Sequence, residues 1–344
     1  MKKIISVLCA AAVISAACSS VSAENGSELV VLGDSIATGY GLEGYISGDN
    51  SSAADSFANR LSAGYDSYVN YAKDGQTSAE LLEGISTDTE IQEAVLSADT
   101  VVISIGGNDF LQPMFAAAQM SVMSNKELIN QLAEGNITMD QAMAETMTEY
   151  ADEISESVIN AAESVDINES IENISGIIGE ITEMNPDCEI YVLTVYDPFE
   201  GAMGMETFSQ TAEELLPVLN DGITGLAESL NIPVYTIDVY SAFKGRAVEY
   251  TNISDMDIHP NKAGHDVIYT LISEAVSSHK NADTEETAAK ETVPEEEVSV
   301  EEAVPVSDVY EKVPPTGNTG AAASALTALA ALSAAAYTCR KRTK

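Results

Sequence analysis

A serine follows the first strongly apolar run of the chain, in a position where it could act as a nucleophile. Leu29–Leu32 is a continuous apolar run and ends abruptly in Gly33-Asp34-Ser35. Such a run is typical of a strand buried on both faces of a parallel sheet. The carboxyl end of a central parallel strand is where open α/β sheets bind ligands. Because Ser and Asp also form ordinary turns, Ser35 indicates chemistry only if a base accompanies it.

The chain has only three histidines, so few residues could serve as that base. Imidazole titrates near neutral pH, which suits proton transfer from a hydroxyl. His259 precedes Pro260, which disfavours helical backbone before it, so we expect His259 in a loop just before the last helix. His265 flanks the apolar face of that helix and is expected to pack. His279 lies at the edge of an acidic segment and is expected to be solvated.

Strand and helix patterns alternate along most of the chain. The predicted strands are Leu29–Leu32, Ser67–Ala72, Asp99–Ile105, Glu189–Val195 and Ile232–Val239. The predicted helices are Ala53–Ala63, Ser78–Gly84, Ile91–Leu96, Ile171–Met184, Thr207–Leu230 and Asn261–Ser277. Alternating βα units with short apolar strands predict an α/β fold, with a five-stranded parallel sheet covered on both sides.

One segment departs from this alternation. Residues 110–170 contain no strand pattern and are rich in methionine: Met114, Met120, Met123, Met139, Met143 and Met147. Methionine adapts to irregular apolar partners. The segment is therefore expected to be a helical insertion with a small core of its own, or a lid over a cleft that binds an acyl chain.

Four short blocks, in order, carry a family resemblance. They are Gly33-Asp34-Ser35, Gly75 in the segment 70–75, Gly106-Gly107-Asn108-Asp109 and His259-Pro260-Asn261. Together they resemble the GDSL (SGNH) hydrolases, over roughly residues 28–279. The resemblance implies a flavodoxin-like three-layer sandwich. It also implies hydrolysis of carboxylic esters through an acyl-serine intermediate, with no cofactor.

The resemblance assigns roles to four residues of this chain. Ser35 would be the nucleophile and His259 its base. The backbone N–H groups of Ser35 and Gly75 and the side-chain amide of Asn108 would form the oxyanion hole, which must be fixed before charge develops on the substrate. Glycine at position 75 lets the backbone approach the substrate closely.

The acid of the triad is where the sequence departs from the family pattern. The family usually has Asp three residues before the histidine, and that position is Met256. Asp257 is our preferred acid, because residues two apart in an extended segment point to the same side. Asp255 and the Met256 carbonyl remain alternatives. A carbonyl would fix the imidazole tautomer but would stabilise the imidazolium less than a carboxylate does.

The start of the chain has the features of a secretory signal peptide. Two lysines precede an apolar stretch over residues 4–17, and Val21-Ser22-Ala23 provides a small-x-small cleavage site. This pattern predicts a signal peptide over residues 1–23. Cys18 offers the alternative of a lipoprotein acceptor. Cys188 is the only cysteine of the predicted mature chain, which therefore has no intramolecular disulfide.

The end of the chain predicts a linker and a surface attachment. Residues 280–312 are rich in Asp and Glu and contain Pro294 and Pro305, which is typical of an extended, self-repelling linker. Residues 313–344 then combine Val313–Gly317, an apolar span over 321–337 and a basic end. They resemble a Gram-positive cell-wall sorting signal, which implies a sortase that cuts after Thr316 and joins the chain to peptidoglycan. A membrane tail anchor is the alternative.

Composition argues against other classes of function. The net charge is −40, which opposes binding to nucleic acid or anionic lipid. Gly39–Gly44 fits a dinucleotide-binding fingerprint, but no helix is predicted to open from it, so phosphates would lack a helix N-terminus. No group of His, Cys and carboxylate residues has the spacing of a zinc site.

The leading hypothesis is a cell-surface ester hydrolase whose substrate is an acyl lipid or an O-acetylated glycan. A domain on the same fold that binds or adheres without catalysis is the alternative.

Overall fold

Five strands form one sheet, all of whose neighbouring pairs are parallel, in the order β2-β1-β3-β4-β5. The computed structural model describes residues 27–138, 151–229 and 232–290. The strands are β1 (Glu28–Gly33), β2 (Ser67–Asn70), β3 (Thr100–Ser104), β4 (Glu189–Leu193) and β5 (Val234–Ile237). This order is that of the flavodoxin-like fold. The predicted α/β class and all five predicted strands are confirmed.

Twelve helices are found in the described residues. They are α1 (Ser35–Thr38), α2 (Phe57–Leu61), α3 (Ser78–Thr87), α4 (Thr89–Ser97), α5 (Gly107–Ser124), α6 (Lys126–Ala133), α7 (Ala151–Glu163), α8 (Ile167–Met184), α9 (Glu206–Ser229), α10 (Val239–Phe243), α11 (Ala247–Tyr250) and α12 (Lys262–Lys290). Short 3₁₀ turns lie at Ser62–Gly64 and Ile253–Asp255.

The sheet buries both faces, as its uninterrupted apolar strands require. Val30 and Leu32 of β1 contact one core, together with apolar side chains of α3, α4, α5, α8 and α9. Leu29 and Val31 point to the opposite face, where α2, α10 and α12 pack. All four side chains are at most 1% exposed. The result is the expected three-layer sandwich.

The described residues of segment 110–170 are mostly helical, and their buried apolar side chains join a core of the sheet. Phe110 and Met114 of α5 and Val158 of α7 belong to the main core on one face of the sheet. The expectation of an independent core is therefore not met in the described residues, since α5 begins close to the end of β3 and packs on the sheet. Met120 and Met123 are exposed, whereas residues 139–150, which include the other three methionines, lie outside the described residues.

The last helix is longer than predicted. It continues to Lys290, so residues 280–290 are helical and are not part of an extended linker. Ala, Glu and Lys are frequent there, and their high helix propensity outweighs the local charge repulsion. Residues 1–26 and 291–344, which include the predicted signal peptide, most of the linker and the sorting signal, lie outside the described residues. Among the described helices, none has the length and apolar character needed to cross a membrane.

The helix extension also corrects the expectation for His279. This histidine is half-buried: its ring stacks on Tyr235 of β5, with ring centroids 3.6 Å apart, and its Nδ1 lies 3.1 Å from the Tyr191 hydroxyl of β4. It packs α12 against the sheet and is only partly exposed. His265 packs as predicted: it is fully buried, stacks on Phe57, and its Nδ1 accepts the Phe57 N–H.

Candidate active site

The strand order reverses beside β1, and Ser35 follows this strand immediately. Gly33 is required there because its φ is +140° and a Cβ would lie 2.1 Å from the Ser104 carbonyl oxygen of β3. The Asp34 N–H donates to that same oxygen at 3.0 Å, and the Asp34 carboxylate caps α1 by accepting the Ile36 N–H. The turn therefore fixes Ser35 as the first residue of α1, at the switch point where such sheets bind ligands.

His259 reaches Ser35 from the loop before α12. Its Nε2 lies 2.9 Å from the Ser35 Oγ, although the two residues are 224 positions apart. An antiparallel bridge between Thr251 and Pro260 closes the base of this loop. The ring of Tyr40 lies over the imidazole, with centroids 4.3 Å apart. The serine itself is only 5% exposed, so the pair is shielded from bulk solvent.

Asp257 is the carboxylate that contacts His259. Its Oδ1 lies 2.5 Å from the His259 Nδ1 and also accepts the His259 backbone N–H at 3.0 Å. Burial alone would raise the pKa of Asp257, but its hydrogen bonds to His259 outweigh burial and lower that pKa. Because Nδ1 faces a carboxylate, it carries the proton, and Nε2 is left to accept one from Ser35. The alternative acid Asp255 is exposed, and so is the side chain of Met256.

The predicted oxyanion-hole residues lie at the carboxyl ends of β1, β2 and β3. Asn108 is 5% exposed, and its Nδ2 donates one hydrogen to the Gln76 carbonyl at 3.0 Å. Gly75 has a φ of +75°, and Gln112 donates to its carbonyl at 2.6 Å. In the described part of the chain, the N–H groups of Ser35 and Gly75 have no protein acceptor. Unpaired fixed donors at a strand end are what a developing oxyanion needs.

Asp109, which follows Asn108, joins three helices behind this site. Its carboxylate accepts the Ser78 N–H at 3.0 Å, the Ser78 hydroxyl, and the Ser170 hydroxyl at 3.1 Å. Burial raises the pKa of Asp109, and the hydrogen bonds from Ser78 partly oppose that rise. These contacts hold the N-termini of α3 and α5 in place, and with them Gly75 and Asn108.

A second buried carboxyl group lies beside Ser35. Asp34 is 2% exposed, and burial raises its pKa to about 7. It lines a cavity of about 20 Å³, together with Ser104, Thr194 and Tyr196, which has room for one water molecule. The Tyr196 hydroxyl donates to the Ile258 carbonyl at 2.9 Å, next to His259. Tyr196 gave no local signal in the sequence, since only the fold brings β4 to this loop.

The glycine-rich stretch Gly39–Gly44 forms turns of the loop after α1. Gly39, Gly41 and Gly44 all have positive φ, which explains their spacing as turns. Tyr45, just after them, donates its hydroxyl to the Asp74 carboxylate, which also accepts the Thr38 hydroxyl at 2.7 Å. Across the residues described, no cluster of three or more His, Cys, Asp or Glu side chains could hold a metal ion.

The comparisons with known proteins cover most of the folded part. A family model described as the GDSL-like Lipase/Acylhydrolase family matches residues 31–267. No curated protein sequence matches significantly.

Three solved structures illustrate the structural likeness. The lipase Lip_vut3 from a goat rumen metagenome is 20% identical, with 72% of this chain and 97% of that chain covered and a TM-score of 0.46. Phospholipase A1 from Streptomyces albidoflavus NA297 is 18% identical, with 72% of this chain and 99% of that chain covered and a TM-score of 0.47. The extracellular lipase from Streptomyces rimosus is 17% identical, with 72% of this chain and 99% of that chain covered and a TM-score of 0.46.

Proposed function

The chain belongs to the GDSL-like lipase/acylhydrolase family, and from that premise we propose that it hydrolyses carboxylic esters through an acyl-Ser35 intermediate, without a cofactor. The observation that carries the proposal is the hydrogen-bonded series from the Asp257 carboxylate through the His259 imidazole to the Ser35 hydroxyl. A serine hydroxyl is a weak nucleophile by itself, and this series supplies both the base and the group that orients the base.

In the first half of the reaction, the His259 Nε2 removes the Ser35 proton while Oγ attacks the ester carbonyl carbon. The carbonyl oxygen becomes an oxyanion and accepts hydrogen bonds from the Ser35 N–H, the Gly75 N–H and the Asn108 amide. The Asp257 carboxylate stabilises the imidazolium. His259 then gives its proton to the leaving alcohol oxygen, the carbon–oxygen bond breaks, and an acyl-Ser35 ester remains.

In the second half, water replaces the alcohol. His259 removes a proton from the water, which attacks the acyl carbon, and the oxyanion again lies among the same three donors. His259 returns the proton to the Ser35 Oγ as the acyl–oxygen bond breaks. The carboxylic acid leaves, and the site regains its starting state.

Two classes of ester are the candidate substrates, an acyl lipid and an O-acetylated glycan. Met120 and Met123 are exposed on α5, the helix that begins beside Asn108, and support an apolar acyl chain as the substrate group. Attachment to the cell wall, which the sequence of residues 313–344 favours, supports a glycan ester. The experiment below separates these classes.

The test is hydrolysis of p-nitrophenyl esters from acetate to palmitate by the mature chain. We expect turnover by the wild type and a loss of about 10³-fold or more in Ser35→Ala. Absence of turnover across the series would reject ester hydrolysis and favour a domain that only binds. Deleting the insertion is uninformative because Met114 and Val158 are core residues.

Whether segment 110–170 acts as a lid over an acyl chain is better tested by replacing its exposed side chains. Met120→Ser with Met123→Ser should reduce palmitate turnover at least tenfold more than acetate turnover, whereas Val218→Ser, also exposed, serves as the control. An equal effect on both esters would refute a lid role for this segment.

We further propose that the protein is exported and displayed on the cell surface. Support comes from the sequence alone, in the signal peptide over 1–23 and the sorting signal over 313–344. Sortase and peptidoglycan would then be its partners. Muramidase digestion of intact cells should release the protein, and Thr316→Ala should abolish its wall fraction. An unchanged wall fraction in Thr316→Ala would exclude cleavage by a sortase at that residue.

A further inference from the structure

The acid of the triad is reached by an unusual turn. Met256, immediately before Asp257, has a φ of +62° and is the only non-glycine residue of the described chain in the left-handed region. The left-handed region is unfavourable for a residue that carries a Cβ. The turn therefore needs neighbouring contacts that hold it, and these contacts determine where the Asp257 carboxylate points.

Asn252 provides several of these contacts. Its backbone N–H donates to the His259 carbonyl at 2.9 Å, and its carbonyl accepts the N–H of Asp255 at 2.8 Å and of Asp257 at 3.3 Å. Its side-chain amide lies next to the Asp257 carboxylate, and this neighbour is one cause of the lowered pKa of that carboxyl. A single residue thus ties the start of the loop to both the acid and the base.

Gly41, on the loop after α1, packs against Asn252 and the acid–base pair. A Cβ at Gly41 would lie 2.9 Å from the Asp257 Oδ2, 3.0 Å from the Asn252 Nδ2 and 3.5 Å from the His259 Cβ. Distances below 3.0 Å would force a shift of the side chain. The glycine therefore leaves room for the amide and the second carboxylate oxygen, while Oδ1 contacts the imidazole.

We propose that Asn252 and Gly41 are positioning residues for the acid–base pair. The Asn252 amide holds the carboxylate of Asp257 so that Oδ1 faces His259. Gly41, which has no side chain, packs against the amide and the carboxylate without displacing either. This inference rests on the proposed function for its kinetic consequence but not for its structural one. Neither residue is assigned a contact with substrate, so their loss should lower kcat and leave KM nearly unchanged.

The kinetic test uses two pairs of variants. Asn252→Asp places a carboxylate against Asp257, which stabilises the protonated imidazole, and we expect the acid limb of the pH–kcat profile to move to higher pH. Ser254→Asp adds the same charge at an exposed position of the same loop and should leave that limb in place. A merely structural role of Asn252 would lower the amount of folded protein but would not move the limb.

The second pair separates crowding from backbone strain. Gly41→Ala and Gly48→Ala introduce a side chain at nearly the same φ, +84° and +81°, but nothing lies within 4 Å of a Cβ at Gly48. We expect kcat to fall at least tenfold in Gly41→Ala and less than twofold in Gly48→Ala. Equal losses in both variants would show that strain alone is responsible and would overturn the role of Gly41.

A measurement without substrate distinguishes this inference from the proposed function. The proton between His259 and Asp257 should give a far-downfield ¹H NMR resonance, assigned by its loss in His259→Ala. We expect it to shift or broaden in Asn252→Ser and Gly41→Ala and to persist in Ser254→Asp and Gly48→Ala. If this pattern holds in a wild type that cleaves no ester, the positioning stands and the proposed function fails. If the wild type is active and Asn252→Ser, Asn252→Asp and Gly41→Ala leave the profile, kcat and resonance unchanged, the positioning is refuted.

Discussion

Replacing Asp34 with Asn should stabilise the protein at neutral and alkaline pH and have little effect in acid. The Asp34 carboxyl is 2% exposed, and burial raises its pKa from 3.8 to about 7. Asn removes the charge but keeps a side-chain oxygen that can accept the Ile36 N–H, as an N-cap requires. The variant therefore isolates the free energy of ionising this carboxyl in the folded state.

The sign and size of the effect follow from linkage between protonation and folding. Below pH 3.8 the carboxyl is protonated in both the folded and the unfolded chain, so it contributes equally to both. Between pH 3.8 and about 7 the unfolded chain releases the proton while the folded protein keeps it, so stability falls as pH rises. At about 1.36 kcal/mol for each pKa unit, the total loss above pH 7 is roughly 4 kcal/mol.

Urea unfolding of the wild type and of Asp34→Asn between pH 4 and pH 8 measures this loss. The difference in unfolding free energy should be small at pH 4 and should grow in favour of the variant to about 4 kcal/mol at pH 8. Other titrating groups cancel in this difference. A difference that does not change with pH, or one that grows toward acid, would refute the argument that Asp34 is kept protonated by burial.

Three further predictions concern the other site residues and the buried histidine. Asp257→Asn should lower kcat about 10⁴-fold by favouring the wrong imidazole tautomer, whereas Asp255→Asn should lower kcat less than threefold. Steady-state kinetics that show a large loss only in Asp255→Asn would make Asp255 the acid. Asn108→Ala should lower kcat about 10²–10³-fold with little change in KM, and a pure KM effect would remove Asn108 from the oxyanion hole. Burial lowers the pKa of His265 to about 3, so in the folded protein it stays neutral while the unfolded chain takes up a proton. The free energy of unfolding should therefore fall below pH 6.5 by up to about 1.4 kcal/mol for each pH unit. Unfolding curves of His265→Gln should lack this dependence on pH.

The sequence carried enough local information to predict the fold. Leu29–Leu32 predicts a doubly buried strand because no polar residue interrupts it, and the structure places these side chains alternately in the two cores. The five strands alternate with helices, which limits the topology to few arrangements. The error at the end of the chain came from charge: the acidic composition after 279 suggested an extended segment, but Ala, Glu and Lys continue the helix to Lys290.

The candidate site was predicted in part, because some of its residues carry a local pattern. Ser35, Asn108 and His259 each stand at a recognisable strand end or loop. Asp257 could be chosen over Asp255 only by side-chain direction, and the left-handed turn at Met256 that aims it could not be predicted, since methionine rarely adopts it.

The supporting residues could not be found from the sequence. Asn252 and Gly41 are separated by more than 200 positions and meet only because the loop after α1 folds against the loop before α12. Tyr196 and Gln112 likewise contact the site through pairs distant in sequence. His279 seemed solvated because its partners, Tyr191 and Tyr235, lie on strands far from it in the chain. Such contacts depend on tertiary packing and leave no periodic signal.

The central claim is that Ser35 forms the covalent intermediate, and a fluorophosphonate probe tests it most directly. Such probes react with a serine only when a base and an oxyanion hole activate it. Mass spectrometry of the digested, labelled protein should place the phosphonate on Ser35 alone, and Ser35→Ala and His259→Ala should each suppress labelling. A phosphonate on another residue, or labelling of Ser35→Ala at the wild-type rate, would contradict the account.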